Sequence, residues 1–177
     1  MALFHISEDP GIREFVPRPS KHTKDPVVWA VNSEKLRNYL LPRDCPRVTY
    51  YAGPDTTAAD AQRFLGASCA VVAIESSWWD RMHSCRLYCY HLRADTFECI
   101  DECAGHFVSR ETLRPLRVEM IDDPIGALLA RGVELRVVPE LDPLRDAVVA
   151  STLLFSIIRM SNSAFPKSGC RRISSHA

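Results

Sequence analysis

Three side chains near the start of the chain could do chemistry together: His5 and Ser7 in Leu3-Phe4-His5-Ile6-Ser7, and Trp29 in Pro26-Val27-Val28-Trp29-Ala30-Val31-Asn32. Each segment reads as a short apolar strand with a chemically able residue in its middle, and such a pair can frame a nucleotide pocket. An imidazole can hold a hydroxyl or carry a proton, and an indole can stack on a base or a nicotinamide ring. Glu75 ends the apolar run Cys69-Ala70-Val71-Val72-Ala73-Ile74 and is a candidate acid. Just after it, Trp78-Trp79 with Asp80, Arg81 and His83 could line a pocket in which Arg81 meets a phosphate. The same cluster could equally be a loop capping the core.

The seven cysteines invite other chemistry. Cys85-x3-Cys89 and Cys99-x3-Cys103 lie near His83, His91 and His106, a set of zinc-ligand types. If residues 86–92 and 96–100 form a hairpin about Ala94, however, positions four apart on one strand lie about 13 Å apart. Zinc ligands must stand at about 2.3 Å from the metal, so no metal site is expected. An odd count of cysteines argues against a full disulfide framework, and free thiols are the expectation. Only seven glycines occur, none in the G-x-G-x-x-G or G-x-x-x-x-G-K arrangement, and G-x-S-x-G and H-E-x-x-H are absent. Rossmann, P-loop, serine-hydrolase and zinc-protease chemistry are disfavoured.

These residues need elements to position them. Residues 8–26 hold Pro10, Pro17, Pro19 and Pro26 among several charges and read as an exposed loop between the two candidate strands. Leu36, Tyr39 and Leu40 have helical spacing, so 33–41 reads as a short helix stopped before Pro42. Val48 to Ala52 is a strand, Thr57-x-x-Asp60 a capping box opening a helix, and Cys69 to Ile74 a strand buried on both faces. Arg86 to Leu92 and Thr96 to Ile100 read as a hairpin, followed by strands at Gly105 to Ser109 and Leu116 to Met120. Asp123-Pro124 opens a helix that Gly132 closes, and Val133 to Val138 is a strand. Asp142-Pro143 repeats that start, opening an amphipathic helix over roughly 143–159.

The whole is expected to be a single α+β domain over 1–160, with a mixed, mostly antiparallel, split sheet, short flanking helices and the C-terminal amphipathic helix. The polar, basic stretch 161–177 is expected to be disordered. A chain of 177 residues, 46% hydrophobic and 25% charged, can build a core. Lys and Arg equal Asp and Glu at 22 each, which disfavours nucleic acid or an anionic membrane as the main partner. No apolar run approaches the roughly 20 residues of a membrane span. Glu8, Asp9 and Pro10 follow a five-residue start with no secretory pattern, so a cytoplasmic location is expected.

The order of these segments resembles, over roughly residues 2–121, the split-sheet fold of ADP-ribosyltransferase-like proteins. More closely, the chain looks like a family of small uncharacterised bacterial proteins with the same opening and the same Leu153–Met160 ending. In ADP-ribosyltransferases a His, a small residue and Ser or Thr lie on the first strand, and the His contacts a ribose of NAD. His5 and Ser7 match that pattern, with Ile6 at the small position. By the same resemblance Trp29 corresponds to the aromatic that stacks near nicotinamide, and NAD is the implied substrate. The late carboxylate has no counterpart in Gly105-His106-Phe107-Val108; Glu102 or Glu75 could supply one from another place, and Glu75 is the acid put forward to stabilise oxocarbenium-like charge. The resemblance thus implies an NAD-binding protein that cleaves or transfers ADP-ribose, with His5 and Glu75 as catalytic residues and His5, Ser7 and Trp29 as binding residues, to which the cluster after Glu75 adds Arg81. Two alternatives stay open: a non-catalytic binding or interaction protein on the same fold, which would bury His5 and hydrogen-bond it internally, and a nucleotide or RNA-phosphate-processing enzyme. The latter would aim arginines such as Arg13, Arg18, Arg43 or Arg81 into the cleft.

Overall fold

The computed structural model describes residues 1–20, 22–102 and 104–164. In chain order its regular elements are β1 (Leu3–Ser7), β2 (Val28–Asn32), β3 (Arg47–Tyr51), α1 (Ala58–Phe64), β4 (Ala70–Glu75), α2 (Trp79–Ser84), β5 (Leu87–Leu92), β6 (Glu98–Asp101), β7 (His106–Ser109), β8 (Arg117–Ile121), α3 (Pro124–Leu129), β9 (Val133–Val138), α4 (Asp142–Val149) and β10 (Leu154–Ile158). The class is α+β, as the strand and cap signals predict. Contacts divide the chain into two compact units, Met1–Arg43 with Asp80–Leu135, and Asp44–Trp79 with the segment from Arg136 onward.

The first unit is built on a six-stranded sheet in the order β6-β7-β2-β1-β5-β8. Every pairing in it is antiparallel. Because successive side chains alternate faces, Leu3, Val28, Ala30, Tyr90, Leu92 and Phe107 meet on one face, and Phe15 from the 8–26 loop closes over them as the core. The central strand β1 pairs with β5 along its whole length, from Leu3↔Leu92 to Ser7↔Tyr88. Against β2 it pairs only at Leu3↔Asn32 and Phe4↔Val31. From His5 onward that ladder is open.

Residues 86–92 and 96–100 do not form a hairpin, because β5 lies between β1 and β8 while β6 pairs with β7. Four strand spacings separate β5 from β6, roughly 19 Å, so Cys89 and Cys99 do not face each other. The helix expected over 33–41 is a 3-10 turn at Leu36–Tyr39 only. Asn32 Oδ1 accepts the Lys35 N–H at 3.0 Å and Pro42 bars continuation, which leaves room for one tight turn.

The second unit carries a four-stranded sheet in the order β10-β3-β4-β9. All six residues of β4 are buried, as its unbroken apolar run predicts. Val48, Tyr50, Val71 and Ala73 pack there with Phe64 and Leu65 of the α1 region and with Leu141, Val148 and Leu153. Thr57 caps α1 by accepting the Asp60 N–H. Asp60 turns its carboxylate to Thr152, taking that residue's N–H at 2.8 Å and its hydroxyl at 2.6 Å.

The amphipathic helix is shorter than expected. It ends at Val149, and residues 154–158 form an edge strand paired with β3 from Leu154↔Tyr51 to Ile158↔Arg47. The Ser151 hydroxyl folds back onto the Val148 carbonyl at 2.7 Å while Thr152 is drawn to Asp60, and the break frees Phe155, Ile157 and Ile158 for β structure. Asp142 is also not a cap: it is the first residue of α4, and its carboxylate takes Arg145 at 2.6 Å. Residues 160–162 form a further 3-10 turn, and 165–177 of the expected tail lie outside the described residues. No helix among the described residues is long and apolar enough to cross a membrane.

Candidate functional site around His5

His5 sits where the β1–β2 ladder opens. Its Nδ1–H donates to the Trp29 carbonyl at 2.9 Å, occupying an oxygen that the interrupted ladder leaves without a strand partner. Its ring rests on Phe15, 4.9 Å between centroids, which in turn meets Tyr90 edge-on at 5.4 Å. Burial holds the His5 pKa below its ordinary 6.5; the Trp29 carbonyl opposes this, and the charges of Arg43 and Arg18 reinforce it. A neutral imidazole whose Nδ1 carries the proton has a lone pair on Nε2. That atom has no partner among the described residues, so it is available to accept from a ligand hydroxyl.

The end of β1, just beyond His5, gathers polar and charged groups. Ser7 shares the His5 face two residues on, and its Oγ accepts the Asp9 N–H at 3.0 Å. Glu8, which the sequence reading missed as a site residue, takes the Arg43 N–H on Oε1 at 2.9 Å and the Arg81 guanidinium on Oε2. Two basic residues distant in sequence are thereby fixed at one strand end. The loop itself is fastened by Tyr90, whose hydroxyl donates to the Asp9 carbonyl at 2.6 Å and accepts the Ile12 N–H at 3.2 Å. Position alone could have singled out Glu8, next to Ser7 at a strand end, but nothing local reveals its partners 35 and 73 residues away.

Trp29 contributes its carbonyl to this site and not its ring. Its neighbours Val28 and Ala30 share the core face with Leu3, and therefore with His5, so the indole projects to the opposite face. There it meets His106 at 5.5 Å and the exposed His22 at 6.3 Å, both edge-on. The Tyr39 hydroxyl lies 2.7 Å from His106 Nε2. Burial also lowers the His106 pKa, and Asp101 opposes this. The structure thus does not bring the His5 and Trp29 rings together.

Glu75 belongs to the second unit and is fully buried. Oε1 accepts from the Ser163 hydroxyl, and Oε2 accepts the Ala164 N–H at 2.8 Å. Both carboxylate oxygens are thus engaged by the chain just beyond β10. The remaining sequence-stressed groups do other work. Trp79 opens α2 and is 40% exposed. The Cys89 thiol is pushed up to about 11 by burial and by Glu119, which leaves it protonated and unreactive. Among the described residues no group of three or more His, Cys, Asp or Glu could hold a metal ion. A cavity of about 340 Å³, lined by Asp95 to Glu98 with Arg110 and Glu111, takes no residue from the His5 cluster.

With this geometry in hand, comparison with protein families returns one model, a family of unknown function (DUF6886), matching residues 4–163. The chain belongs to the DUF6886 family. The matched stretch runs from Phe4 beside His5 to Ser163 on Glu75, so the DUF6886 unit takes in both the β1 site and the β10 extension that closes over Glu75. No curated protein and no solved structure matches the chain.

Proposed function

We propose that the protein binds a nucleotide at the open end of β1, with NAD or ADP-ribose as the ligand, in the manner of ADP-ribosyltransferase-like proteins of the bacterial cytoplasm. The observation that carries this reading is the His5 imidazole, pinned by its Nδ1–H to the Trp29 carbonyl with Nε2 left to accept. A neutral acceptor calls for a hydroxyl donor, which a ribose supplies. The positive charges of Arg43 and Arg18, both felt at His5, suit an anionic ligand such as a pyrophosphate. Ribose and phosphate together describe a nucleotide.

Transfer of ADP-ribose asks for a carboxylate beside the anomeric carbon as positive charge develops. Glu75 belongs to the second unit and has both oxygens engaged by Ser163 and Ala164, so the observations support binding at His5 more directly than turnover. The internal hydrogen bond of His5 also suits a non-catalytic protein. The positive charge of Arg43 and Arg18 felt at His5 also suits a second reading, a nucleotide or RNA-phosphate-processing enzyme, in which the anion is a terminal phosphate.

Calorimetric titration with NAD, ADP-ribose and a ribose 2′-phosphate, alongside a nicotinamide-release assay, separates these readings. Binding should weaken about tenfold in His5→Ala, the value of one lost hydrogen bond. Absence of heat at millimolar ligand, or wild-type affinity in His5→Ala, rules the site out.

A further inference from the structure

We propose that β8 is a self-pairing edge through which two copies of this chain join their six-stranded sheets, antiparallel about Val118. β8 is bonded to β5 on one side and ends the sheet on the other. Such an edge leaves a row of backbone N–H and C=O groups as a template for another strand. Its apolar side chains are unusually open: Leu116 is 65% exposed, Val118 47% and Met120 56%.

The order of residues decides which strand fits. Leu116-Arg117-Val118-Glu119-Met120 reads apolar, basic, apolar, acidic, apolar. About a two-fold axis at Val118, Arg117 faces Glu119 of the second copy, Glu119 faces its Arg117, Val118 faces Val118 and Leu116 faces Met120. Side chains directly opposite across an antiparallel pair are close neighbours, so two ion pairs and three apolar pairs form at once. The contact is isologous and closes on itself.

Charged residues on an edge strand normally keep other strands away. That guard works when an arriving strand meets like charge, and β8 meets opposite charge in its own copy. The other edge of the same sheet behaves differently. β6 carries Glu98 and Asp101, with a register shift against β7 between Cys99 and Asp101, so a second copy would meet acid against acid on an irregular edge. Within one chain Arg117 already contacts Glu119 and lies 3.4 Å from His91 Nδ1, so pairing exchanges ionic partners without stranding a charge. The apolar side adds to Tyr88 and Tyr90, which stand opposite Met120 and Val118 on β5. One five-residue strand falls short of the roughly 1,200–2,000 Å² of a stable interface, so the dimer should be reversible and of roughly micromolar affinity.

Sedimentation velocity on the full chain from about 5 to about 500 μM tests this. The expected result is a monomer–dimer equilibrium that Glu119→Arg and Arg117→Glu each weaken at least tenfold, while each variant keeps a cooperative melt although it loses the pairings among Arg117, Glu119 and His91. Mixing these two single variants should restore association, because each then presents the charges the other lacks, and the double variant R117E/E119R should dimerise like wild type. A wild-type monomer throughout the range, a dimer insensitive to the single substitutions, or single variants that stay monomeric when mixed would each overturn the proposal.

Discussion

At the scale of the residue, the two histidines on opposite faces of the first sheet are both held below their ordinary pKa by burial. The folded state resists their protonation, so as pH falls through 6.5 the unfolded chain takes up protons first and stability declines. Above that pH the two groups contribute no change. Urea unfolding at about pH 7.5 and about pH 5.5 should therefore show a larger loss in wild type than in a His5→Gln, His106→Asn variant; equal losses would show that neither imidazole is depressed. Ligand binding should fall only at lower pH, as the lowered pKa of folded His5 is approached, since protonation removes the Nε2 lone pair. Glu75 gives a separate residue-level expectation. Replacing it by Ala removes the acceptor of the half-buried Ser163 hydroxyl and of the exposed Ala164 N–H, at a cost of about 1–2 kcal/mol in equilibrium unfolding, whereas Glu75→Gln should keep part of that.

At the scale of the element, α1 and α3 start on side-chain caps, from Thr57 and Asp123. Thr57 accepts the Asp60 N–H at the start of α1, and Thr57→Ala should cost about 1 kcal/mol. The tie from Asp60 to Thr152 joins α1 to the residues just before β10, so Asp60→Asn should speed local hydrogen exchange at Thr152 and along the β10–β3 pairing. If exchange there is unaltered, that tie does not hold the edge strand. Ending the chain after residue 160 would remove both donors to Glu75, and its thermal midpoint should fall together with that of Glu75→Ala.

For the whole molecule, both sheets depend on pairings between distant segments. β1 pairs with β5 more than eighty residues away, and β10 with β3 about a hundred residues away. Stopped-flow refolding should accordingly run in milliseconds to seconds, slower than a helical bundle of this size. The formal net charge of zero and the isoelectric point near 7.0 put the solubility minimum close to neutral pH. Precipitation assays across pH 5 to 9 check this on the folded chain.

Local chemistry settled much of the fold. The unbroken apolar run at β4, the cap and proline at Asp123-Pro124, the Thr57 cap and the strand formers of β3, β7, β8 and β9 each act within a few residues, so their elements could be read from order alone. Strand partners could not. Alternation tells which residues share a face but not which strand lies alongside, and the hairpin about Ala94 failed because β1 and β8 supply the partners of β5. The end of the last helix turned on Thr152 meeting Asp60, a contact across 92 residues. At the site, His5 and Ser7 were legible as a pair on one strand. The tertiary structure alone decided that the Trp29 ring leaves by the other face, that Arg43 and Arg81 converge on Glu8, and that Glu75 is closed over by Ser163 and Ala164. The physical reason is range: propensities and caps act over one or two turns of chain, whereas register and long-range hydrogen bonds exist only once the sheets have formed.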